Sequence, residues 1–164
     1  MMSRRSILGS LGITAATAAG LRGLFAAQPA HAARAYEVVK TDAEWQKVLT
    51  PDQFGVLRKA GTERPYSSPL NGEKRAGVFV CMGCDLPVFT SEMKFESGTG
   101  WPSFFTTIPG VFEMKKDFLL IYPRSEYHCI RCGGHHGHVF DDGPPPTNQR
   151  WCNNGVSLRF IPKG

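Results

Sequence analysis

The chain has 164 residues, of which 41% are hydrophobic, 20% charged and 11% aromatic, a mixture that suits one soluble domain and excludes collagen-like and intrinsically disordered chains. Its net charge of +5 does not indicate a nucleic-acid partner, because Arg4, Arg5 and Arg22 lie in a first segment with no acidic residue. Without these three, sixteen basic residues face fourteen acidic ones.

Residues 1–32 have the features of an export leader. The paired arginines precede a moderately apolar stretch, and residues 30–32 (Ala-His-Ala) fit a small-x-small cleavage site. The arginine pair resembles a twin-arginine signal, while the Sec route stays open. A retained anchor is the alternative, but Arg22 shortens the apolar run below the ~18 residues of a spanning helix. We expect a cleaved signal peptide and a soluble domain at residues 33–164, located in the periplasm or otherwise exported.

Two short helices are predicted at the start of this domain. Thr41 and Glu44 form a capping-box pattern before an amphipathic segment. Thr50 and Gln53 repeat the pattern, with a proline at the first helical position. Gly61 is a typical stop signal and predicts the end of the second helix.

The remainder of the chain has the pattern of a β-rich fold. Proline, glycine, asparagine and serine interrupt it every few residues, and the apolar runs shorten to strand length. The predicted strands span residues 78–80, 86–89, 111–114, 118–122, 139–140 and 156–161. We therefore expect a mainly β fold with short N-terminal helices and long loops.

Four cysteines form two Cys-x-x-Cys knuckles that are 44 residues apart, Cys81 with Cys84 and Cys129 with Cys132. Each knuckle can present two thiolates from a tight turn, and together they complete a tetrahedral zinc shell with no open position. Two disulfides, an iron–sulfur site and a mixed site with a nearby histidine are the alternatives. The pattern favours one structural Zn²⁺ per chain, which would stabilise the fold and take no part in catalysis.

Cys152 remains after the other four cysteines are paired. An unpaired thiol in an exported protein is either a small buried hydrophobe or a reactive group. Arg150 and a histidine-rich stretch at residues 134–138, predicted to be a loop, favour the reactive group, because nearby cations and donors stabilise a thiolate. Such a Cys/His pair could also serve an amidase or peptidase. A zinc-stabilised binding module without catalysis is a further alternative.

Three motifs carry a family resemblance: SGTGWPSF at residues 97–104, CIRCGGHHGHVFDDGP at 129–144 and RWCNNGVSLRF at 150–160. In this order they resemble the B-type peptide-methionine (R)-S-oxide reductases, from about Trp45 to Phe160. The resemblance implies two antiparallel β-sheets with a zinc site distal to the active site. It also implies thiol-dependent reduction of methionine (R)-sulfoxide in oxidised proteins. We expect a monomer.

The resemblance assigns roles residue by residue. It makes Cys152 the nucleophile and Trp101 the wall against which the substrate methyl group packs. Around the sulfoxide it places three catalytic side chains, those of His135, His138 and Asn154. It also places two substrate-binding side chains there, those of Arg150 and Asp142. It gives His136 no role, since an apolar residue is usual there. Thr99 stands where many members have a second cysteine that reacts with the oxidised nucleophile.

The chemistry of these residue types agrees with the implied reaction. A sulfoxide sulfur becomes electrophilic when its oxygen is protonated, and a histidine can supply that proton. Attack by the Cys152 thiolate then gives methionine and a cysteine sulfenic acid. With Thr99 at the resolving position and four thiols on zinc, no thiol of this chain is left to reduce the sulfenic acid. An external, thioredoxin-like reductant is therefore expected.

Overall fold

The computed structural model describes residues 35–117 and 124–164. The predicted leader, residues 1–32, and the strand predicted at residues 118–122 lie outside these ranges. The helices within them have seven and nine residues, and neither could cross a bilayer.

The two predicted helices are confirmed, as α1 (Asp42–Val48) and α2 (Pro51–Lys59). Both begin with the capping box that the sequence indicates. In the first, the Glu44 N–H donates to Thr41 Oγ1 at 3.3 Å and the Thr41 N–H donates to the Glu44 carboxylate at 2.7 Å. The second helix ends at Lys59, two residues before Gly61, because Ala60 adopts the left-handed conformation and caps it.

Within the described residues, nine strands form two antiparallel sheets. The strands are β1 (Gly77–Cys81), β2 (Pro87–Thr90), β3 (Lys94–Phe95), β4 (Ser103–Phe104), β5 (Phe112–Asp117), β6 (Arg124–Cys129), β7 (His135–Phe140), β8 (Arg150–Asn153) and β9 (Leu158–Pro162). One sheet has the order β2-β1-β9 and the other β3-β4-β8-β7-β6-β5. The expected mainly β fold with two antiparallel sheets is therefore confirmed.

The strand predictions differ from the structure in several places, and the two-residue strands β3 and β4 were not predicted. The histidine-rich stretch predicted as a loop is the first part of β7, where the sequence predicted a strand only at residues 139–140. The strand predicted from residue 156 begins at Leu158, since Gly155–Ser157 form a 3₁₀ turn. Strands β6 and β8 were not predicted, because their polar side chains hide the apolar alternation of a strand.

The core lies between the two sheets. Phe79 on β1 and Phe89 on β2 face each other across the three-stranded sheet. Phe104 on β4 belongs to the other sheet, and its ring stacks on that of Phe89 with centroids 3.9 Å apart. All three side chains are fully buried. Aromatic packing therefore joins the two sheets at β4, the strand beside β8 in the six-stranded sheet.

The helices cover the cysteine knuckles. Trp45 of α1 is buried, and its ring lies against the backbone of Gly83 in the first knuckle. Arg58 of α2 stacks over the Trp45 ring at 5.1 Å and donates to the carbonyl oxygen of Cys132 at 2.9 Å. The two N-terminal helices thus hold both knuckles in place.

Candidate functional site

The four knuckle cysteines meet in one cluster. Cys81 ends β1 and Cys84 follows in the next turn, while Cys129 ends β6 and Cys132 lies in the turn before β7. The Cys81 and Cys132 sulfurs are 3.7 Å apart, and those of Cys84 and Cys129 are 3.5 Å apart. The four sulfurs lie within 4.8 Å of one another, so they converge on one point.

This geometry fits a tetrahedral metal ion. With metal–sulfur bonds of about 2.3 Å, a tetrahedral zinc site needs sulfur–sulfur separations of about 3.8 Å. A disulfide needs about 2.05 Å, so the two-disulfide alternative does not describe this arrangement. No histidine belongs to this cluster among the described residues, which argues against a mixed site. Hydrogen bonding among the four thiols lowers the pKa of Cys129 and raises those of Cys81 and Cys132, because the sulfurs are close enough to share protons.

Cys152 faces a separate cavity of about 110 Å³. The cavity shares no residue with the four-cysteine cluster. Four of the predicted site residues line it, namely Trp101, His138, Cys152 and Asn154. The other lining residues are Thr62, Arg124, Gly137, Phe140 and Asn153. The sequence analysis did not single out Arg124 or Phe140, since neither belongs to a recognisable chemical pattern.

Strand pairing positions the nucleophile. On β8, Cys152 pairs with Ser103 of β4 on one side and with His138 of β7 on the other. Gly137 is required beside it, because a Cβ atom at that position would lie 1.9 Å from the Cys152 carbonyl oxygen. The close approach of β7 to β8 brings the His138 side chain to the cavity that contains the thiol.

Trp101 is held in place by Glu63, a residue to which the sequence analysis gave no role. The Trp101 indole N–H donates to the Glu63 carbonyl oxygen at 3.1 Å, and the Glu63 N–H donates to Asn154 Oδ1 at 2.9 Å. The Glu63 carboxylate accepts from the N–H groups of Gly155 at 2.5 Å and Val156 at 3.1 Å. Burial raises the pKa of Glu63, and these two N–H groups oppose that rise. Glu63 therefore connects the tryptophan wall to the turn that follows the nucleophile.

His135 and His138 reach the same face of β7 through an irregularity. Residues three apart on a regular strand point to opposite faces. Here β7 has one extra residue at His136, because Tyr127 and His128 on β6 pair with Gly137 and His135. The His135 and His138 rings therefore lie together, with centroids 5.5 Å apart. His138 lines the cavity, whereas His135 is buried behind it with Nδ1 2.6 Å from Glu126 Oε1.

His136 points into the core. Its Nδ1 lies 3.2 Å from Asn153 Oδ1 and 3.2 Å from Ser157 Oγ. Full burial lowers the pKa of His136 to about 4, so its ring is neutral at ordinary pH. This position agrees with the absence of a role for His136 in the sequence analysis.

Arg150 and Asp142 form a two-bonded ion pair beside the site. Arg150 Nε and Nη2 donate to the two Asp142 carboxylate oxygens at 2.8 and 2.9 Å. The guanidinium also lies 4.4 Å from the centre of the Phe140 ring, which lines the cavity. Neither Arg150 nor Asp142 lines the cavity itself. The pair contributes charge and support for Phe140, and Arg150 also interacts with the Cys152 thiol as a hydrogen-bond donor.

The sequence analysis expected Arg150 to favour a thiolate at Cys152, and in the structure burial opposes that effect. Burial raises the pKa of the Cys152 thiol above its usual value, and this effect exceeds the opposing one of the Arg150 charge. Asp142 weakens that charge because it pairs with Arg150 and itself raises the thiol pKa. Burial therefore favours the thiol form of Cys152, whereas the Arg150 charge favours the thiolate.

Thr99 lies beside Cys152, as its position in the motif implies. Its hydroxyl hydrogen-bonds to the Cys152 side chain and lowers the thiol pKa, by less than Arg150 does. The same hydroxyl is 2.9 Å from Ser97 Oγ, which is 2.8 Å from Ser103 Oγ. A cluster of hydroxyl groups therefore occupies the side of Cys152 from which a second cysteine would act.

The raised pKa predicts the reactivity of Cys152 toward an alkylating agent. The rate of Cys152 carboxamidomethylation by iodoacetamide should still increase with pH above the range in which an ordinary thiol has reached its plateau. Arg150→Gln should move this profile to higher pH and slow the reaction several-fold at neutral pH, because it removes a charge that favours the thiolate. Peptide mass spectrometry over a pH series measures both effects.

Arg159→Gln is the matched control for this experiment. Arg159 pairs with Asp85 at 2.5 Å and does not line the cavity. Its loss should leave the Cys152 profile unchanged. A profile for Arg150→Gln that coincides with that of the control would contradict the assigned charge effect.

Comparison with known proteins gives consistent matches. A family model described as the SelR domain matches residues 49–162. A peptide methionine sulfoxide reductase MsrB of Methanosarcina barkeri is 52% identical over 124 residues, which cover 75% of this chain and 87% of the relative. A protein with the same name from Leifsonia xyli subsp. xyli is 48% identical over 130 residues, which cover 78% of this chain and 94% of that protein. A chloroplastic peptide methionine sulfoxide reductase B1 of Oryza sativa subsp. japonica is 45% identical over 126 residues, which cover 76% of this chain and 59% of that protein.

The matched region includes every residue that the sequence analysis assigned to the site. Both knuckles, Trp101, the β7 histidines and Cys152 lie within residues 49–162. A binding module without catalysis is therefore not favoured. Because the family model covers most of the chain and the relatives match along most of their own length, the chain belongs to the SelR-domain family, that of the B-type peptide-methionine (R)-S-oxide reductases.

Proposed function

We propose that the Cys152 sulfur attacks the sulfur of methionine (R)-sulfoxide in oxidised proteins. The observation that carries this proposal is the meeting of a thiol, an imidazole and an indole ring around one small cavity, at Cys152, His138 and Trp101. The thiol is the nucleophile, the imidazole handles the proton and the indole provides an apolar wall. Each of the three groups has one task in the reduction of a sulfoxide.

The reaction balances as follows. The Cys152 thiolate forms a bond to the substrate sulfur while the sulfoxide oxygen takes a proton. The resulting hydroxyl group then transfers to the cysteine sulfur, as the substrate S–O bond and the new S–S bond break. The products are methionine and Cys152 sulfenic acid. We assign the proton donor to His138, which lines the cavity beside Cys152, and a supporting role to His135, which packs behind it. Asn154 lines the same cavity and can donate to the oxygen through its amide.

Arg150 and Asp142 are proposed to favour substrate binding and thiolate formation through their charge. Arg150 lowers the pKa of the Cys152 thiol, against the larger effect of burial. Bound substrate that covers the cavity excludes water and strengthens this attraction. The ion pair with Asp142 fixes the guanidinium in place.

The chirality of the cavity supports selectivity for one epimer. An indole face on one side and hydrogen-bond donors on the other require the methyl group and the oxygen to point in opposite directions. Only one configuration at the sulfur satisfies both while presenting the sulfur to Cys152. The resemblance implies that this is the R epimer.

The test of this function is a resolved assay. Purified protein with dithiothreitol and a peptide that contains both sulfoxide epimers should consume the R epimer and leave the S epimer, as followed by chiral chromatography. Cys152→Ser should abolish turnover, and His138→Gln should lower kcat by ~10²- to 10⁴-fold, the usual contribution of general acid catalysis. Equal consumption of both epimers would contradict the proposal.

We further propose that the four-cysteine cluster holds one structural Zn²⁺. The sulfur separations and the purely thiolate donor set suit a closed tetrahedral zinc site, which has no position for a substrate. When bound, zinc would supply cross-links between the two knuckles. Cys81, Cys84, Cys129 and Cys132 would hold it, and the reaction steps would not involve it.

The zinc proposal predicts a difference between two cysteine variants. Cys81→Ser should lose both the metal and most of the folded population, because the binding energy of a structural zinc is folding energy. Cys152→Ser should keep one zinc per chain and its thermal stability. Elemental analysis and thermal unfolding measure the two properties. A Cys81→Ser variant with stoichiometric zinc would refute a site shared by four thiolates.

We propose a cycle with one reactive cysteine and an external, thioredoxin-like reductant. Thr99 stands beside Cys152 in place of a thiol, and the other four cysteines belong to the metal cluster. The sulfenic acid reacts with one external thiol to give a mixed disulfide and water. A second external thiol then releases Cys152 and leaves with the first as a disulfide.

This cycle predicts the mass of the oxidised protein. One equivalent of substrate without reductant, in the presence of a sulfenic-acid trap such as dimedone, should give a single adduct on Cys152 with full zinc occupancy. Native mass spectrometry measures both. A disulfide between Cys152 and another cysteine of the same chain, formed at the catalytic rate, would contradict the cycle.

The same proposal includes the location of the protein. The leader features of residues 1–32 support export as a twin-arginine substrate, with a soluble monomeric domain released outside the cytoplasm. Export in the folded state would suit a domain that takes up its zinc before it leaves the cytoplasm. The electron donor would then be a thioredoxin-like domain on the same side of the membrane.

A further inference from the structure

A second group of metal-ligating side chains lies between β6 and β7. Glu126 and His128 belong to β6, and His135 begins β7 opposite His128. Glu126 Oε1 lies 2.8 Å from His128 Nε2 and 2.6 Å from His135 Nδ1. The three atoms are within 4.8 Å of one another, and the group shares no residue with the four-cysteine cluster.

A backbone contact orients the first imidazole. His128 Nδ1 lies 3.3 Å from the carbonyl oxygen of Gly133, which can only accept a hydrogen bond. The hydrogen of a neutral His128 ring is therefore on Nδ1, and Nε2 presents a lone pair to Glu126. A histidine that ligates a metal almost always donates its other ring N–H to such an acceptor.

The contact between His128 and Glu126 is unusual for two buried polar atoms. Both atoms are shielded from solvent, and neither has a hydrogen-bond partner within residues 35–117 and 124–164. They are 2.8 Å apart, which is close enough for a hydrogen bond. The angle at the imidazole nitrogen is therefore what prevents one. A lone pair and a carboxylate oxygen at this separation repel each other unless a positive charge lies close to both.

We propose that Glu126, His128 and His135 form a second metal site, which takes one divalent transition ion such as Zn²⁺ or Co²⁺. Two imidazole nitrogens and one carboxylate oxygen are a donor set that such borderline ions accept. Metal bonds of about 2.0–2.2 Å place tetrahedral ligand atoms at least about 3.3 Å apart. The Glu126 oxygen therefore needs to move about 0.5 Å away from His128 Nε2 and about 0.7 Å away from His135 Nδ1. The fourth position would be open to water.

The surroundings of the site favour entry of an ion. The side chains of Glu126 and His128 are 16% and 11% exposed, so the shielded ligand atoms lie just beneath the surface. Lys115, which is opposite Glu126 on β5, is paired with Glu113 at 3.3 Å. The deeper ligand, His135, packs on the His138 ring. A bound ion would therefore fix the imidazole directly behind the one that faces Cys152, whether or not the proposed reduction takes place there.

The experiment is a cobalt titration of the tag-free protein with its four-cysteine site already filled by zinc. We expect one additional Co²⁺ per chain, with weak visible absorption and without the intense thiolate-to-cobalt band that a cysteine ligand would produce. His128→Gln should weaken this binding at least tenfold. Glu113→Gln should not change it, since Glu113 lies directly opposite His128 on β5 but is outside the ligand group.

The zinc content of each variant is measured in parallel, because His128 precedes a cysteine of the first site. If His128→Gln loses zinc, Glu126→Gln replaces it in the comparison. Three results would overturn the proposal: no cobalt beyond the four-cysteine site, a thiolate band that places the ion on Cys152, or equal affinity in the ligand variant and the Glu113→Gln control.

Discussion

The convergence of four cysteine sulfurs is the constraint on which the rest of the structure depends. Cys81 ends a strand of the three-stranded sheet, and Cys129 ends a strand of the six-stranded sheet, so the cluster fixes one sheet relative to the other. The N-terminal helices use the same cluster as their packing surface, through Trp45 and Arg58. The turn that contains Cys132 leads directly into β7. A metal bound far from the reaction would therefore determine where the strand with the cavity histidine begins.

Burial and a neighbouring charge act in opposite directions on the Cys152 thiol, and burial has the larger effect. Cys152 lies on β8 between two other strands. Removal from water raises the pKa of its thiol more than the Arg150 charge lowers it. Thiols react with oxidants mainly as thiolates, so this environment protects the residue while no substrate is bound. A sulfoxide that fills the cavity brings its own acceptor oxygen to the donors there. The arrangement separates a protected state from a reactive one with little movement of the backbone.

Sequence reasoning was sufficient wherever a few adjacent residues determine the geometry. Capping boxes at Thr41 and Thr50 and the Cys-x-x-Cys knuckles are local patterns, and the structure confirms the helices and the clustering of the sulfurs. Sequence reasoning failed for β6 and β8, because their side chains are largely polar and do not show the apolar alternation of a strand. The roles of Glu63 and Glu126 could not be predicted either, because each depends on partners distant in sequence, Asn154 and His135. The motifs identified the residues of the cavity, and only the fold shows which of them face it.

The extra residue at His136 makes β7 sensitive to its length. With it, His135 and His138 share one face while His136 fills the core against Asn153 and Ser157. A deletion of one residue here would restore regular alternation and turn one of the paired imidazoles away from the other, although every core side chain could be kept. An insertion would have the same effect. Relatives that preserve this geometry must therefore vary by substitution between Gly134 and His138, and changes in chain length must fall in the loops outside this stretch.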